Sequence, residues 1–290
     1  MNRQRPYFEG WYFRHQKDDN VISIIPGAQI DEEGNASAFV QVITKDASYY
    51  ISYPMECYYV NRKVFFIKVG PNWFTRRVIY LSIHTKELDL EGEIRYGKFE
   101  GLHYDIMGPF RFIPFMPCRH QIISMRHSLN GRISLNGQEI TFSGGNGYIE
   151  GDSGHTFPND YFWSQCNHFS KEQAAIFAAA ADIPVFGVWI PGCIAIVNYR
   201  GKELRFATYL GARVRIRTEH TLLITQGAYA LRIRVAPKQG QILKAPIKGR
   251  MRGRVKECVQ CRACYELFYN KKRVFRLVSG TAGFERVTSL

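Results

Sequence analysis

Apolar and polar residues alternate with a period of two over short runs along most of the chain. The runs at 21–25, 38–44, 49–53, 64–69 and 78–84 are rich in Val, Ile, Tyr and Phe, and Gly, Pro, Asn and Asp punctuate them. This pattern predicts strands. Val40, Val42 and Thr44 alternate with Gln41 and Ile43, as in a half-buried strand. Gly34-Asn35 and Asn136-Gly137 sit between strand-like runs and predict hairpin turns. The second half repeats the pattern at 194–199, 204–209, 213–218, 222–225, 231–235, 255–268 and 274–277. No long segment has a helical period. At one place propensity and context disagree. Ser170-Lys-Glu-Gln173 has the form of a capping box before an Ala-rich run at 174–181, a helical signal. The apolar continuity into Ile183-Pro184-Val185 and the β-rich surroundings favour a buried strand. Many short strands at regular spacing predict an all-β fold of barrel or sandwich type. The chain's 290 residues exceed one small barrel. The Gly-rich segment 143–147 is read as a seam between two similar halves, 1–143 and 144–290.

Composition agrees with a folded, strand-rich chain: 46% hydrophobic, 22% charged and 14% aromatic residues. The longest apolar stretch, 174–199, contains Asp182, Pro184, Pro191, Gly187 and Gly192. A membrane helix rarely tolerates all of these, so the stretch reads as buried strands with a turn. No apolar run follows the basic residues at the start, so no signal peptide is expected. The seven Cys are scattered, so no disulfide framework is expected either, and a cytoplasmic setting follows. Cys258, Cys261 and Cys264 suggest a metal site by spacing. They fall in a run read as a strand, where positions three apart face opposite sides, so no metal is expected there.

Charge is uneven. Residues 1–200 hold 19 Lys and Arg against 20 Asp and Glu, whereas residues 201–290 hold 20 against 5. Arg213, Arg215 and Arg217 alternate, as do Arg232 and Arg234, and Arg250, Arg252, Arg254 and Lys256. On strands each set would line one face. The plain reading is a solvated outer wall. The sharper one is peripheral contact with an anionic membrane through Arg213, Arg215, Arg217, Arg250, Arg252 and Arg254. Nucleic acid is not expected, because no base-stacking aromatics interleave with these arginines.

Three segments combine aromatic walls with a few polar groups, the composition of a binding pocket. They are YFEGWYF at 7–13, MGPF at 107–110 with CRH at 118–120 and SMRH at 124–127, and GYIEGDSGHTFP at 147–158 with YFWSQCNH at 161–168. Glu150 and Asp152 are two apart, so on a strand both point the same way. A carboxylic acid in an apolar cavity stays protonated near neutral pH, and a second carboxyl nearby reinforces this. Such an acid can protonate an alkene carbon. The faces of Trp11, Tyr12, Tyr148 and Trp163 can stabilise the resulting cation. His120 or His127 can take or relay a proton. Gln165 and Asn167 share a face with Trp163 if that segment is a strand, and are candidates to bind a ligand oxygen. Glu9, among aromatics, is as readily a buried structural carboxylate as a site residue. Competing readings make Glu150 and Asp152 turn residues and the histidines packed core groups. No cofactor is required.

These motifs, with RFATY at 205–209 and AGFE at 282–285, resemble the tocopherol cyclase family, in order and from residue 7 to residue 285. The resemblance implies two lipocalin-like β-barrels with a ligand cavity near their junction. It also implies an isoprenoid substrate: this family closes a prenylated hydroquinone into a chromanol. Tyr148-x-Glu150 is similar to the Tyr-x-Asp of carotenoid 1,2-hydratases, which also add oxygen across a prenyl double bond. Where the family carries Asp-Trp-Gly, this chain has Asp152-Ser153-Gly154 followed by His155, which implies a larger or more polar pocket. Catalysis would rest on Glu150, Asp152, His120 and Tyr148. Substrate contacts would come from Glu9, Trp11, Tyr12, His127, His155, Trp163, Gln165 and Asn167. A non-catalytic carrier of a hydrophobic isoprenoid or quinone, and a cyclase of another polyene, remain open alternatives.

Overall fold

The computed structural model describes residues 5–113, 116–170, 172–185, 188–237 and 239–288. The basic start at 1–4 and Gly187 of the apolar run lie outside them. The described residues fold as two large antiparallel sheets. The first twelve strands are β1 Tyr7–Lys17, β2 Asn20–Ile30, β3 Ala36–Thr44, β4 Ser48–Pro54, β5 Tyr58–Asn61, β6 Phe66–Val69, β7 Asn72–Thr75, β8 Val78–His84, β9 Asp89–Tyr96, β10 Cys118–Leu135, β11 Gln138–Thr141 and β12 Asn146–Gly154. The other ten are β13 Tyr161–Cys166, β14 Ala174–Val185, β15 Val188–Tyr199, β16 Lys202–Ala207, β17 Arg213–Arg217, β18 Thr221–Gln226, β19 Tyr229–Ala236, β20 Gln241–Ile247, β21 Arg250–Tyr269 and β22 Lys272–Val287.

The first twelve strands form one sheet in the order β4-β3-β2-β1-β12-β10-β9-β8-β7-β6-β5, with β11 on β10. The last ten form the other in the order β16-β15-β14-β13-β22-β21-β19-β18-β17, with β20 on β21. The first strand of each set pairs with the last, β1 with β12 and β13 with β22. Closed barrels do not result among the described residues, because each path opens between two sequence neighbours, β4 and β5 or β16 and β17. A 3-10 turn lies at each opening, at Met55–Cys57 and at Thr208–Leu210, and turns the chain out of its ladder.

The chain divides into two compact units: Met1–His103 with Phe115–Phe157 and Leu243–Arg254, and Tyr104–Pro114 with Pro158–Ile242 and Val255–Leu290. The Gly-rich segment 143–147 lies inside the first, where it turns the chain from β11 into β12. Each unit has its own apolar core. The first is built from the face of β1 that carries Trp11 and Phe13, with Ile22, Ile24, Val40, Val42, Phe74 and Ile149. The second contains Phe162, Ile176, Val197, Phe206, Leu231, Tyr265 and Phe284. The Ala-rich segment is a strand, as its surroundings suggested. Ala178 and Ala180 are buried in the second core, a tertiary gain that outweighs helical propensity.

Alternation does not hold everywhere. Gln41, expected on a solvated face, is buried: its amide donates to the Lys244 carbonyl at 3.0 Å and accepts from the Lys244 N–H at 2.9 Å. A bulge between Val214 and Ile216 breaks the regular spacing of Arg213, Arg215 and Arg217. Arg217 turns to Asp182 and Asp160, at 2.8 and 3.2 Å. Another bulge between Cys258 and Cys261 sets both thiols in the second core, not on opposite faces as strict alternation predicted.

Two of the sequence motifs meet in the second unit. Arg205 donates to the carbonyls of Tyr104 and Asp105 at 2.8 and 2.9 Å, and its guanidinium lies 3.6 Å from the centre of the Tyr104 ring. The Tyr209 hydroxyl donates to the Ile106 carbonyl at 2.9 Å. A Cβ on Gly108 would lie 2.5 Å from the Tyr209 ring. MGPF and RFATY are therefore the two halves of one clamp.

In the first unit, Gly147 faces His127 across β10 and β12. A Cβ on Gly147 would lie 2.1 Å from His127 Nε2. Gly147→Ala is expected to destabilise the protein by about 1–3 kcal/mol through overpacking, read from the urea unfolding midpoint.

Candidate active site

Strand register decides which predicted residues share a face. On β12, Tyr148, Glu150 and Asp152 point to one side. Their partners on β1 are Arg14, Tyr12 and Gly10, and the partners of Glu150 and Asp152 on β10 are Ile122 and His120. This face lies opposite the apolar core of the first unit. It is nevertheless buried: Tyr148 is 0% exposed, Glu150 5%, Tyr12 6% and Arg14 2%. Both faces of β1 and β12 are thus withdrawn from water, which is why the 7–13 motif reads as almost unbroken aromatic sequence.

The polar groups on this face meet in close pairs. Tyr148 donates its hydroxyl to Glu150 Oε2 at 2.5 Å. His120 Nδ1 donates to Asp152 Oδ1 at 2.9 Å, and its Nε2 lies 3.7 Å from Glu150 Oε2. Cys118 donates its thiol to Asp152 Oδ1 at 3.5 Å. Ser23 donates to the Tyr12 hydroxyl at 2.8 Å. Burial first, and then the neighbouring Glu150 carboxyl, hold the Tyr148 hydroxyl far above the usual phenol range. Burial and then Asp152 do the same for the Cys118 thiol. Both are therefore neutral donors at ordinary pH, and Cys118 is a poor nucleophile. His120, Glu150 and Asp152 each bring one possible metal-ligand atom within 4.8 Å of the others. In this structure Glu150 Oε2 accepts from Tyr148 and Asp152 Oδ1 accepts from His120.

Other predicted residues lie elsewhere. Glu9 and Trp11 alternate onto the core face of the first unit. Glu9 accepts hydrogen bonds from Tyr58 at 2.6 Å, from Tyr7 at 3.2 Å and from Arg62. It thereby ties β1 to β5 and the turn after it. Arg62 also lies over Trp11, at 6.0 Å. Ser153 pairs with Glu9 on that same face, so the Trp-to-Ser departure alters the surroundings of Glu9 and not the face bearing Glu150. His127 lies in the core, edge-on to Tyr96 at 4.6 Å, with Ser124 2.9 Å from its Nδ1. His155 follows β12, and its carbonyl accepts from the Gly249 N–H at 2.6 Å. Trp163 and Gln165 are buried in the second unit on the side of β13 away from its core, and Asn167 lies just past that strand. On the same side Tyr161 donates to Glu285 at 2.6 Å, and Glu285 pairs in register with the buried Glu257.

The sequence pattern passed over Arg14 and took in Cys118 only as part of the CRH segment at 118–120. Arg14 had a signal: a cation inside an apolar β-rich run is rarely buried without purpose. Cys118 had none, because only the β10–β12 register brings it to Asp152.

The family model for "Tocopherol cyclase-like" proteins matches residues 85–286, and the chain belongs to that family. A search of curated protein sequences finds no match. Among solved structures, kievitone hydratase from Nectria haematococca is similar at TM-score 0.54 and 10% identity, over 98% of this chain and 90% of that one. A putative AttH from Nitrosomonas europaea is similar at TM-score 0.51 and 10% identity, over 98% and 93%. CghA in complex with Sch210972 is similar at TM-score 0.60 and 8% identity, over 98% and 89%. At such identities the likeness is one of fold.

Burial pushes His15 and His127 down to about pH 3, from an ordinary value of 6.5. The fold therefore holds both neutral, while the unfolded chain takes up protons below about pH 6.5. Stability should be full above that value and fall as pH drops toward 3, by up to about 1.4 kcal/mol per pH unit per histidine. Denaturant midpoints measured between neutral and acid pH should show this slope, and His127→Gln should reduce it.

Proposed function

We propose that the protein is an acid-catalysed cyclase of a prenyl-type alkene, with Glu150 as the acid. The observation that carries this reading is the buried chain Tyr148–Glu150–His120–Asp152, in which one carboxyl is deep and the other, with 23% of its side chain exposed, is the more accessible. Glu150 gives its proton to the less substituted alkene carbon, leaving a tertiary cation. An oxygen of the same molecule, such as a hydroquinone hydroxyl, attacks the cation and loses its proton to His120 and Asp152. That proton returns through His120 to Glu150. A C–H and a C–O bond form while the alkene π bond and an O–H bond break, so the product is an isomer and no electrons leave. The phenol faces of Tyr12 and Tyr148 stabilise the cation. Family membership supports a cyclase, and the name of kievitone hydratase fits the related addition of water to an alkene. We read the two units as lipocalin-like in kind, each an opened relative of that barrel.

Incubation with a prenylated hydroquinone in D₂O should yield a cyclised product carrying one deuterium on carbon. Glu150→Gln and Asp152→Asn keep shape and remove the acid, and each should lower turnover by about 10²–10⁴. Full activity in both variants would remove these carboxyls from the mechanism. Return of unchanged ligand would mark a carrier, and a cyclised product without deuterium a pericyclic closure. Activity should withstand chelation; its loss on chelation would reassign the cluster to a metal.

A further inference from the structure

The first unit includes Leu243–Arg254, a hairpin made from the end of β20 and the start of β21. Its turn residues Lys248 and Gly249 have φ of 50° and 81°, the left-handed pair of a tight two-residue turn. A Cβ on Gly249 would lie 2.0 Å from the Ile30 carbonyl oxygen, so only glycine lets the tip sit this close to β2. The hairpin is fastened by its backbone and its inner side. Gln41 bonds the Lys244 peptide group on both sides, and Gln29 accepts from the Met251 N–H. The Pro246 carbonyl accepts from the Phe157 N–H at 3.4 Å. Leu243, Ala245 and Met251 are buried beneath it.

The outer side is left with almost nothing structural to do. Arg250, Arg252 and Arg254 are exposed while Met251 and Gly253 between them are buried. The three guanidiniums therefore repeat about 7 Å apart on one face. Lys248 adds another exposed cation, and so does Lys244, whose ammonium lies 3.8 Å from the centre of the Tyr50 ring. Glu32 is the carboxylate paired with this group, to Lys248 at 3.1 Å and Arg252 at 3.8 Å. Ile247, beside the turn, is 41% exposed. Five cations against one carboxylate, with an exposed isoleucine beside the turn, match an anionic and partly apolar surface. Arginine forks suit phosphate oxygens. No aromatic stands between the arginines to stack a base, which disfavours single-stranded nucleic acid.

We infer that the Leu243–Arg254 hairpin docks the protein on the surface of an anionic phospholipid bilayer, through Arg250, Arg252, Arg254, Lys248 and Ile247. The inference stands on the hairpin alone and does not need the proposed reaction, although a lipid-phase substrate would make docking useful. Arg217 is excluded from this surface because Asp160 and Asp182 hold it. Cosedimentation of the full chain with phosphatidylcholine vesicles, with and without one-third phosphatidylglycerol, tests it. Binding is expected only to the charged vesicles, and to fall away at high salt. Arg250→Gln with Arg252→Gln and Arg254→Gln should weaken it about 100-fold, the sum of three surface cations. Arg213→Gln with Arg215→Gln should leave it unchanged, and thermal melts should show both variants folded. The wild-type comparison does not depend on either variant folding. Equal binding to neutral vesicles, no binding at low salt, an unaffected triple variant, or tighter binding to DNA than to charged vesicles would each overturn the inference.

Discussion

A carboxylate taken out of water must find partners or lose its charge. Glu150 is in that position, on a sheet face that is buried although it lies away from the apolar core. The Tyr148 hydroxyl and the His120 ring supply the partners, and Asp152 and Cys118 extend the arrangement from His120. The rest of the first unit follows from giving this face a rigid frame. β12 lies between β1 and β10, so the three strands that carry these groups are consecutive in the ladder. Their cross-strand register, and not any loop, sets the distances.

The same strands do a second job on their other side. Trp11, Phe13 and Ile149 pack into the core, and Glu9 gathers Tyr58, Tyr7 and Arg62 at the end of β1. This tie matters because the sheet does not close. A 3-10 turn opens the path between β4 and β5, and the Glu9 hydrogen bonds join β1 to β5 without a ladder. The second unit repeats the plan, with β13 on β22, an opening at a 3-10 turn, and the Arg205–Tyr209 clamp on the segment that carries Gly108.

Opposite faces of one strand therefore separate two kinds of polar residue. Glu150 and Asp152 meet the imidazole of His120, at 3.7 and 2.9 Å. Glu9 meets phenols and a guanidinium, which hold a charge in place. The residue type is the same; the partners set what each carboxyl is offered, an imidazole and a phenol for Glu150, phenols and a guanidinium for Glu9. Ser153 belongs with Glu9, so its small side chain bears on the surroundings of that carboxyl.

Much of this was legible in the chain. Period-two patterning and turn residues gave an all-β fold, and the spacing of Glu150 and Asp152 placed them on one face, because alternation along a strand is a local property. The Arg250–Arg254 stripe was legible for the same reason. What the sequence could not fix is anything set by pairing between distant strands. The register of β1 on β12 set Tyr12 beside Glu150 and left Trp11 on the other face, the register of β10 brought His120 and left His127 in the core, and bulges at Val214 and Cys258 reset the local alternation. Register and bulges depend on which strands become neighbours, and that choice belongs to the tertiary structure, where burial of a whole face outweighs the preference of any one segment.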